Sequence, residues 1–361
     1  MCAACAELNW SKRQQSADLS GRVALVTGAR VKIGYQTAIL LLRAGAQVVA
    51  TTPGPRDAAA RYAAERAFAD WGHRLAVHGL DLRHTPSVES FAHHLEASLP
   101  RLDFLVNNAC QTVRRPPGFY AHLMEAEGLP EASLGEPARR LLASRQALVA
   151  ATTTASRFLG VREAPQLSQL TTDGDRAFGA EIFPAGRLDQ DLQQVDLRDR
   201  NSWRLTLGEV PTVELLEVQL VNAVAPFVLA ARLKPLMLRP APSRDRHVVN
   251  VSAVEGQFYR AFKTDKHPHT NMAKAALNML TRTSAADYVK DGIHMNSVDT
   301  GWVTDEDPLA IAARKTEEHG FHPPLDIVDG AARICDPIFS GFLTGVHAWG
   351  RFFKDYLPVR W

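Results

Sequence analysis

The feature that most constrains the fold is a glycine-containing turn between a short apolar segment and an amphipathic segment. RVALV at 22–26 predicts a buried strand, TGARVKIG at 27–34 places Gly28 and Gly34 at the two ends of a turn, and a helical pattern continues to Leu42. Such a turn lets backbone N–H groups and a helix N-terminus face a phosphate. The segment therefore predicts the first βα unit of a nucleotide-binding domain.

Strands and helices alternate regularly after this unit. We predict strands at 47–50, 75–80 and 103–107, and helices at 57–71 and 88–99, the last with Thr85 as N-cap and Pro86 in its first turn. Alternation of this regularity is typical of a parallel sheet with helices on both faces. The predicted fold class is therefore α/β, a Rossmann-type doubly wound parallel sheet.

The alternation stops between 111 and 210. This stretch contains RRPPG, a helical pattern over 137–158 and a polar segment. Because a structureless loop of this length is improbable in a compact domain, we predict a large insertion after the fourth strand, forming a lid or subdomain. The regular pattern then resumes, with helices at 213–238, 269–289 and 327–339 and strands at 247–252 and 294–298.

The predicted domain spans 21–361 and is preceded by an N-terminal extension, 1–20. In the extension, Cys2 and Cys5 lack the further ligands that a zinc site needs, and we expect a frayed, metal-free tail. Four cysteines in 361 residues are too few for a disulfide framework. The N-terminus shows no secretory signal pattern, so a cytoplasmic location is expected.

The charge balance bears on binding partners. Lys and Arg total 41 and Asp and Glu 39, a formal charge of +2, so neither nucleic acid nor an anionic membrane is indicated as a partner. The apolar stretches are too short or too interrupted to predict a transmembrane helix. We expect no nucleic-acid or membrane partner, and a small molecule as substrate.

Four motifs together resemble the short-chain dehydrogenase/reductase family: the TGxxxxxG turn, Asp81-Leu82 after the third strand, NNA at 107–109 and AKAAL at 273–277. The resemblance covers 21 to about 350, excluding the insertion. It implies a Rossmann-type fold, an NAD(H) or NADP(H) cofactor and a homodimer or homotetramer. Lys32, at the position of the family's middle glycine, and the insertion after NNA are similar to the pteridine-reductase branch.

The resemblance also implies a cofactor site. Asp81 would accept a hydrogen bond from the adenine amino group, and Asn108 and Ala109 would line the ribose. The predicted cofactor-binding residues are Gly28, Arg30, Lys32, Ile33, Gly34, Thr52, Asp81, Leu82, Asn108, Ala109, Lys274 and Thr304.

The end of the second strand bears on cofactor preference. NAD enzymes usually carry an acidic residue there that binds the ribose hydroxyls, but this chain has TTP at 51–53. With no carboxylate to repel a 2′-phosphate, and with Arg30, Lys32 and Arg56 nearby to pair with it, NADP(H) is favoured over NAD(H).

The resemblance implies a catalytic Asn, Ser, Tyr and Lys, of which this chain keeps two. Asn222 and Lys274 match the Asn and the Lys. Ala253 stands at the serine position, with Ser252 one residue earlier on the opposite face of an extended strand. Ser252 stays a candidate for the serine, because a shifted register or a bulge would bring it to that face. Thr270 stands where the tyrosine is expected, four residues before Lys274, and its hydroxyl lacks the acidity of a phenol.

A substitute proton donor is therefore required if the protein is an enzyme. His267 lies seven residues before Lys274, a spacing that puts both on one helical face, and an imidazole exchanges protons near neutral pH. Capping of the helix is the alternative role of His267, and His269 and Tyr259 are weaker candidate donors. Three functions remain open: an atypical oxidoreductase acting on a carbonyl or alcohol, a catalytically silent nucleotide-binding sensor or scaffold, and a redox-neutral lyase or cyclase.

Overall fold

The fold is built around one eight-stranded sheet. The computed structural model describes residues 1–151, 156–167, 170, 181–189, 193–240, 244–260, 263–320 and 322–361. Strands β1 to β7 run parallel, and β8 is antiparallel to β7, in the order β3-β2-β1-β4-β5-β6-β7-β8. The strands are β1 Val23–Thr27, β2 Gln47–Thr52, β3 Leu75–Gly79, β4 Phe104–Asn107, β5 Arg246–Ser252, β6 Ile293–Asp299, β7 Phe352–Lys354 and β8 Leu357–Val359.

Helices cover both faces of the sheet. They are α1 Ala3–Gln14, α2 Lys32–Arg43, α3 Pro55–Ala63, α4 Phe68–Trp71, α5 Thr85–Ser98, α6 Pro117–Gly128, α7 Glu136–Ala151, α8 Leu159–Arg162, α9 Ala164–Leu167, α10 Thr212–Gln219, α11 Ala225–Met237, α12 Pro268–Tyr288, α13 Leu309–His319 and α14 Ile327–Thr344. Short 3₁₀ turns lie at Gly72–Arg74, Glu131–Ser133, Ser156–Phe158, Ser202–Arg204, Leu207–Glu209, Val254–Gly256 and Val289–Asp291.

The alternation of side chains along each strand builds two apolar layers. On β1, Val26 belongs to the layer with Ile39 of α2 and Ile338 of α14, whereas Leu25 belongs to the layer with Phe91 of α5 and Leu229 of α11. All six residues are buried. This two-sided burial confirms the doubly wound α/β prediction.

Several predicted elements differ from the observed ones. The helix predicted at 57–71 is two helices, α3 and α4, and β7 and β8 were not predicted. The expectation of a frayed N-terminal tail is wrong, because α1 packs on α14, with Lys12 Nζ 2.5 Å from Asp336 Oδ1 and Arg13 Nη1 2.7 Å from Asp326 Oδ2. Because these ion pairs join residues more than 300 positions apart, the sequence of α1 alone does not indicate that it packs on α14.

The described part of 111–210 packs against the edge of the sheet. Helix α7 lies on β3 and α3, and its Leu141 and Leu142 are buried in the same apolar layer as Val26. The helix predicted at 137–158 is observed as Glu136–Ala151, and 152–155 lie outside the described residues. The domain boundaries, and the assignment of 111–210 as an insertion, stay predictions.

One continuous helical segment, Thr212–Met237, is long and apolar enough to pass a membrane-span test, with a mean hydropathy of 1.6. Half of its apolar window is buried within the fold, where α11 packs on α5. A core helix passes the same test. The segment contains a π-helical turn, Leu220–Val224, between α10 and α11.

Candidate functional site

The end of β4 holds the glycine turn in place. Thr27 Oγ1 accepts hydrogen bonds from the backbone N–H groups of Asn108 and Ala109, and Asn108 Nδ2 donates to the carbonyls of Thr27 and Gly28 at 3.0 and 3.2 Å. A Cβ on Gly28 would lie 2.8 Å from Ala109 Cα, and one on Gly34 would lie 2.4 Å from the Gly28 carbonyl oxygen. Both glycines are therefore required by close packing.

Lys32 departs from the usual chemistry of such a turn. Its φ is +54°, in the left-handed region that glycine adopts without strain. A non-glycine residue there costs about 1–2 kcal/mol. The backbone thus keeps the conformation of a glycine turn while carrying a lysine side chain at the mouth of the nucleotide cleft.

A cleft of about 400 Å³ opens at the carboxyl ends of the strands, and its lining comes in part from the ends of β1 and β4, where the strand order reverses. This switch point is where open α/β sheets bind ligands. Lys274 lies in a neighbouring cavity. The cleft is lined by the other predicted cofactor residues: Gly28, Arg30, Lys32, Ile33, Gly34, Thr52, Asp81, Leu82, Asn108, Ala109 and Thr304.

Sequence reasoning missed the partner of Asp81. Arg83 binds the Asp81 carboxylate with two nitrogens, Nε at 3.0 Å and Nη2 at 2.7 Å, and reaches Glu217 Oε1 at 3.1 Å with Nη1. Asp81 is only 2% exposed. Its carboxylate is therefore fixed at the wall of the cleft by an ion pair.

The cleft is also lined by a carboxylate that the sequence of β2 does not show. Glu127, from the end of α6, is buried, and its Oε1 accepts hydrogen bonds from the N–H groups of Arg56 and Asp57, both at 2.9 Å. These donors form the first turn of α3, a natural anion site. Burial raises the pKa of Glu127, although the two N–H groups oppose that shift.

The basic residues assigned to a 2′-phosphate are only partly available. Arg30 lines the cleft but pairs with Asp57 at 2.8 Å. Arg56 is not among the residues that line the cleft, and its guanidinium donates to the carbonyls of Glu127 and Leu129. The assignment of Arg56 to the phosphate is therefore wrong, because the end of α6 occupies its side chain.

A second cavity, of about 620 Å³, adjoins the cleft and contains the chemically important positions. Lys274, Thr270, His267 and Ser252 all line it. Lys274 Nζ donates to the carbonyl of Val251 at 2.8 Å, and Ser252 Oγ donates to the carbonyl of Lys274 at 3.5 Å. Thr270 Oγ1 is buried and has no hydrogen-bond partner among the described residues.

His267 is held by a segment distant in sequence. Its ring stacks on Trp203 with centroids 3.7 Å apart and planes 4° from parallel, and its Nδ1 lies 2.9 Å from the Trp203 carbonyl oxygen. Because a carbonyl only accepts, Nδ1 carries the hydrogen and Nε2 keeps its lone pair. Burial lowers the pKa of His267, which favours this neutral form.

His267 shares a cavity with Lys274 but not a helical face. The residue precedes α12 with φ +43°, so it does not continue the helical face of Lys274, and its side chain makes no capping hydrogen bond. The weaker candidates lie elsewhere: His269 is buried with Nε2 3.5 Å from Glu214 Oε1, and Tyr259 is 96% exposed.

Asn222 lies in the π-helical turn and holds the chain that follows NNA. Its Oδ1 accepts from the Gln111 N–H at 2.8 Å and its Nδ2 donates to the Gln111 carbonyl at 3.0 Å. π-Helical turns are frequent at functional sites. Here the turn directs a buried amide toward the segment between the two cavities.

Comparisons with known proteins indicate the family of this chain. The family described as short chain dehydrogenase matches residues 22–125, and the one described as enoyl-(acyl carrier protein) reductase matches 201–320. An uncharacterized protein of Acanthamoeba polyphaga mimivirus is 31% identical and covers 96% of this chain, which spans 69% of that protein. Dehydrogenase/reductase SDR family member 13 of Bos taurus is 34% identical over 36% of this chain and 37% of its own length.

Solved structures show the same fold. The RhlG/NADP active-site complex of Pseudomonas aeruginosa superposes with a TM-score of 0.55 at 20% identity, covering 93% of this chain and 95% of that one. The glycine turn, the NNA strand end and the switch-point cleft define a dinucleotide-binding α/β protein. This chain belongs to the short-chain dehydrogenase/reductase family.

Proposed function

We propose that this protein is an atypical oxidoreductase that acts on a small carbonyl or alcohol substrate, with His267 replacing the usual tyrosine in proton transfer. The observation that carries the proposal is the cavity in which His267, Thr270 and Lys274 meet beside the nucleotide cleft. A volume of about 620 Å³ suits a small-molecule substrate.

The residues of the cleft fit a nicotinamide cofactor. Gly28 and Gly34 let the glycine turn pack closely against the end of β4. This packing places the start of α2 at the cleft, where its N–H groups suit a pyrophosphate. Asn108 and Ala109 would line the ribose, and Lys274 the nicotinamide end. When bound, the cofactor supplies or accepts the hydride.

The chain's own residues would then handle the proton. In the oxidation direction, Nε2 of neutral His267 takes the hydroxyl proton of the alcohol, and in the reduction direction the imidazolium returns a proton to the carbonyl oxygen. Trp203 keeps Nδ1 protonated and so leaves Nε2 as the basic nitrogen. The lowered pKa of His267 suits a base that is neutral near pH 7.

We further propose that NADP(H) is preferred over NAD(H). Arg30 and Lys32 at the cleft and the lack of a carboxylate on the end of β2 support this preference. The structurally similar RhlG complex of Pseudomonas aeruginosa contains NADP. The buried Glu127 carboxylate opposes the preference by placing a negative charge on the first turn of α3.

We also propose a homodimer or homotetramer. Four apolar side chains on α10, α11 and α12 are more than half exposed, namely Leu216, Phe227, Met272 and Met279. Apolar side chains on neighbouring helices are what a symmetric interface covers. Light scattering on the purified protein measures the oligomeric state, and a monomer would contradict this part. A cytoplasmic location stays a prediction.

The test of the proton-transfer role uses His267→Gln, with His319→Gln, an exposed histidine, as control. We expect turnover of a carbonyl and alcohol panel to fall by about 10²–10⁴-fold in His267→Gln, with the NADPH affinity unchanged. Added imidazole should partly restore His267→Ala. Full activity of His267→Gln would refute the assignment.

A catalytically silent nucleotide-binding protein is the second candidate. Ala253 and Thr270 favour it, because neither replaces the proton-transferring side chain that the family uses. Cofactor binding without turnover of any panel substrate, in a wild-type protein shown to be folded, would favour this candidate over the oxidoreductase.

A further inference from the structure

Three histidines and an aspartate lie together at the amino-terminal ends of β5 and β6, whereas the nucleotide cleft lies at the carboxyl ends of the strands. Asp245 directly precedes β5, His247 lies near the start of β5, His294 near the start of β6, and His347 between α14 and β7. From His247 to Ser252, at the cavity, the strand extends about 17 Å. The cluster is therefore separate from the site described above.

The donor atoms of three of these residues converge. Asp245 Oδ1 lies 3.5 Å from His347 Nε2 and 3.7 Å from His294 Nε2. One donor atom from each of the three residues lies within 4.8 Å of the other two. In a tetrahedral zinc site with bonds of about 2.0–2.1 Å, ligand atoms are about 3.4 Å apart. The observed separations approach that geometry.

The ring of His294 lacks hydrogen-bond partners among the described residues. Both of its nitrogens, Nδ1 and Nε2, are buried. An unsatisfied buried polar atom is costly, so a ligand for it is favourable. The side chains of His294 and His347 are 12% and 9% exposed, whereas that of Asp245 is 40% exposed, which gives an ion a path from solvent.

His247 supports the cluster from behind. Its Nε2 lies 2.9 Å from Nδ1 of His347. If His347 binds an ion through Nε2, its Nδ1–H donates to His247 Nε2. A hydrogen bond of this kind fixes the tautomer and the ring orientation of a metal-binding histidine.

The donor atoms select the kind of ion, and a nearby positive charge lowers the affinity for it. Two imidazoles and one carboxylate suit Zn²⁺ and similar transition metals, whereas Mg²⁺ and Ca²⁺ require more oxygen ligands. Arg22 Nη1 lies 3.3 Å from the backbone carbonyl of Asp245, and its positive charge lowers the affinity of the site for any cation.

We propose that Asp245, His294 and His347 form a binding site for one divalent transition-metal ion, with Zn²⁺ as the fitting ion and water completing the coordination. The ion joins the starts of β5 and β6 to the segment that leads into β7. Its role is structural, because the cavity lined by Lys274 lies at the other ends of these strands.

The test uses the full-length protein with Cys2→Ser and Cys5→Ser, because these exposed thiols would bind the same metals. Cobalt(II) titration followed by visible absorption should give the bands of a four-coordinate ion, saturating at one per chain. Zn²⁺ should displace the Co²⁺. At a hundredfold excess over Kd, Zn²⁺ should raise the Tm by roughly 3–4 °C.

Matched variants assign the ligands. His347→Asn and Asp245→Asn should abolish the Co²⁺ bands, His247→Gln should weaken Co²⁺ binding by about 10–100-fold, and the exposed His93→Asn should change nothing. Circular dichroism without metal shows whether each variant is folded. If a histidine variant is unfolded, Asp245→Asn still tests the proposal, because Asp245 is the most exposed of the three ligands. Absence of saturable binding, or binding unchanged in Asp245→Asn and His347→Asn, would overturn the proposal.

Discussion

The buried carboxylate of Glu127 offers a sharp test of how the cofactor is selected. In Glu127→Gln, the side-chain oxygen can still accept from the N–H groups of Arg56 and Asp57, but the negative charge is removed. We expect the affinity for NADPH to rise and the affinity for NADH to stay within about twofold, because only NADPH carries a 2′-phosphate near the first turn of α3.

The magnitude follows from Coulomb's law. At a separation of about 6 Å and an effective dielectric constant of about 20, two unit charges interact by about 2.8 kcal/mol. Arg30 and Lys32, which also line the cleft, and dissolved salt reduce this repulsion. A net gain of about 1.4–2.8 kcal/mol corresponds to a Kd for NADPH lower by about 10–100-fold. The loss of charge at the helix N-terminus costs about 0.3–1 kcal/mol of stability, not of affinity.

Fluorescence titration with NADPH and NADH, at the same ionic strength, measures both affinities. The control is Glu125→Gln, an exposed residue of the same helix, which should leave both Kd values unchanged. An NADPH affinity that is unchanged or weaker in Glu127→Gln would refute the reasoning, and would mean that α6 moves away before the cofactor binds.

Three other predictions concern the glycine turn at 27–34 and the buried His78. Because Lys32 has a positive φ, Lys32→Gly should unfold in urea with a free energy about 1 kcal/mol higher than Lys32→Ala, while both lose the same charge; equal stabilities would contradict the strain. Gly34→Ala should weaken NADPH binding at least about tenfold, because its Cβ would meet Asn108 Nδ2 at 2.3 Å, whereas Gly208→Ala, with nothing within 4 Å, should not. Burial lowers the pKa of His78 to about 3, whereas a histidine in the unfolded chain has a pKa of about 6.5. Between these two values, the unfolded chain binds a proton at this residue and the folded chain does not. Stability is therefore lost as the pH falls below about 6.5, by about 2 kcal/mol at pH 5 for this residue alone, and urea unfolding at pH 7.5 and 5 should show a smaller difference in His78→Gln.

The sheet was predictable because its signals are local. Each buried strand is a short apolar run, and the motifs at Gly28, Asp81 and Asn108 mark where strands end. The elements that were missed depend on distant partners: α1 is held by α14, and β7 pairs with β6 at the far end of the chain. No periodicity within those segments could reveal such partners.

The lining of the cleft was predictable only in part. Lining residues that belong to a sequence motif were predicted, such as Gly28 and Asn108, whereas Arg83 and Glu127 were not. Arg83 stands two residues after Asp81, so its proximity was visible in the sequence, but the pairing depends on side-chain direction. Glu127 lies about 70 residues from the helix that it caps, and that distance hides it completely.

The segment 111–210 also contains Trp203, the residue that orients His267. Spacing along α12 suggested that His267 shares a face with Lys274, yet the left-handed backbone takes it off that face. What holds its ring in the cavity is Trp203, through stacking and the carbonyl that binds Nδ1. Glu127, from the same segment, lines the cleft at the first turn of α3. Under the proposed function, residues between 111 and 210 would therefore supply both a charge beside the adenosine and the orientation of the proposed base. We infer that the absence of the family's tyrosine and the presence of this segment belong to one rearranged site.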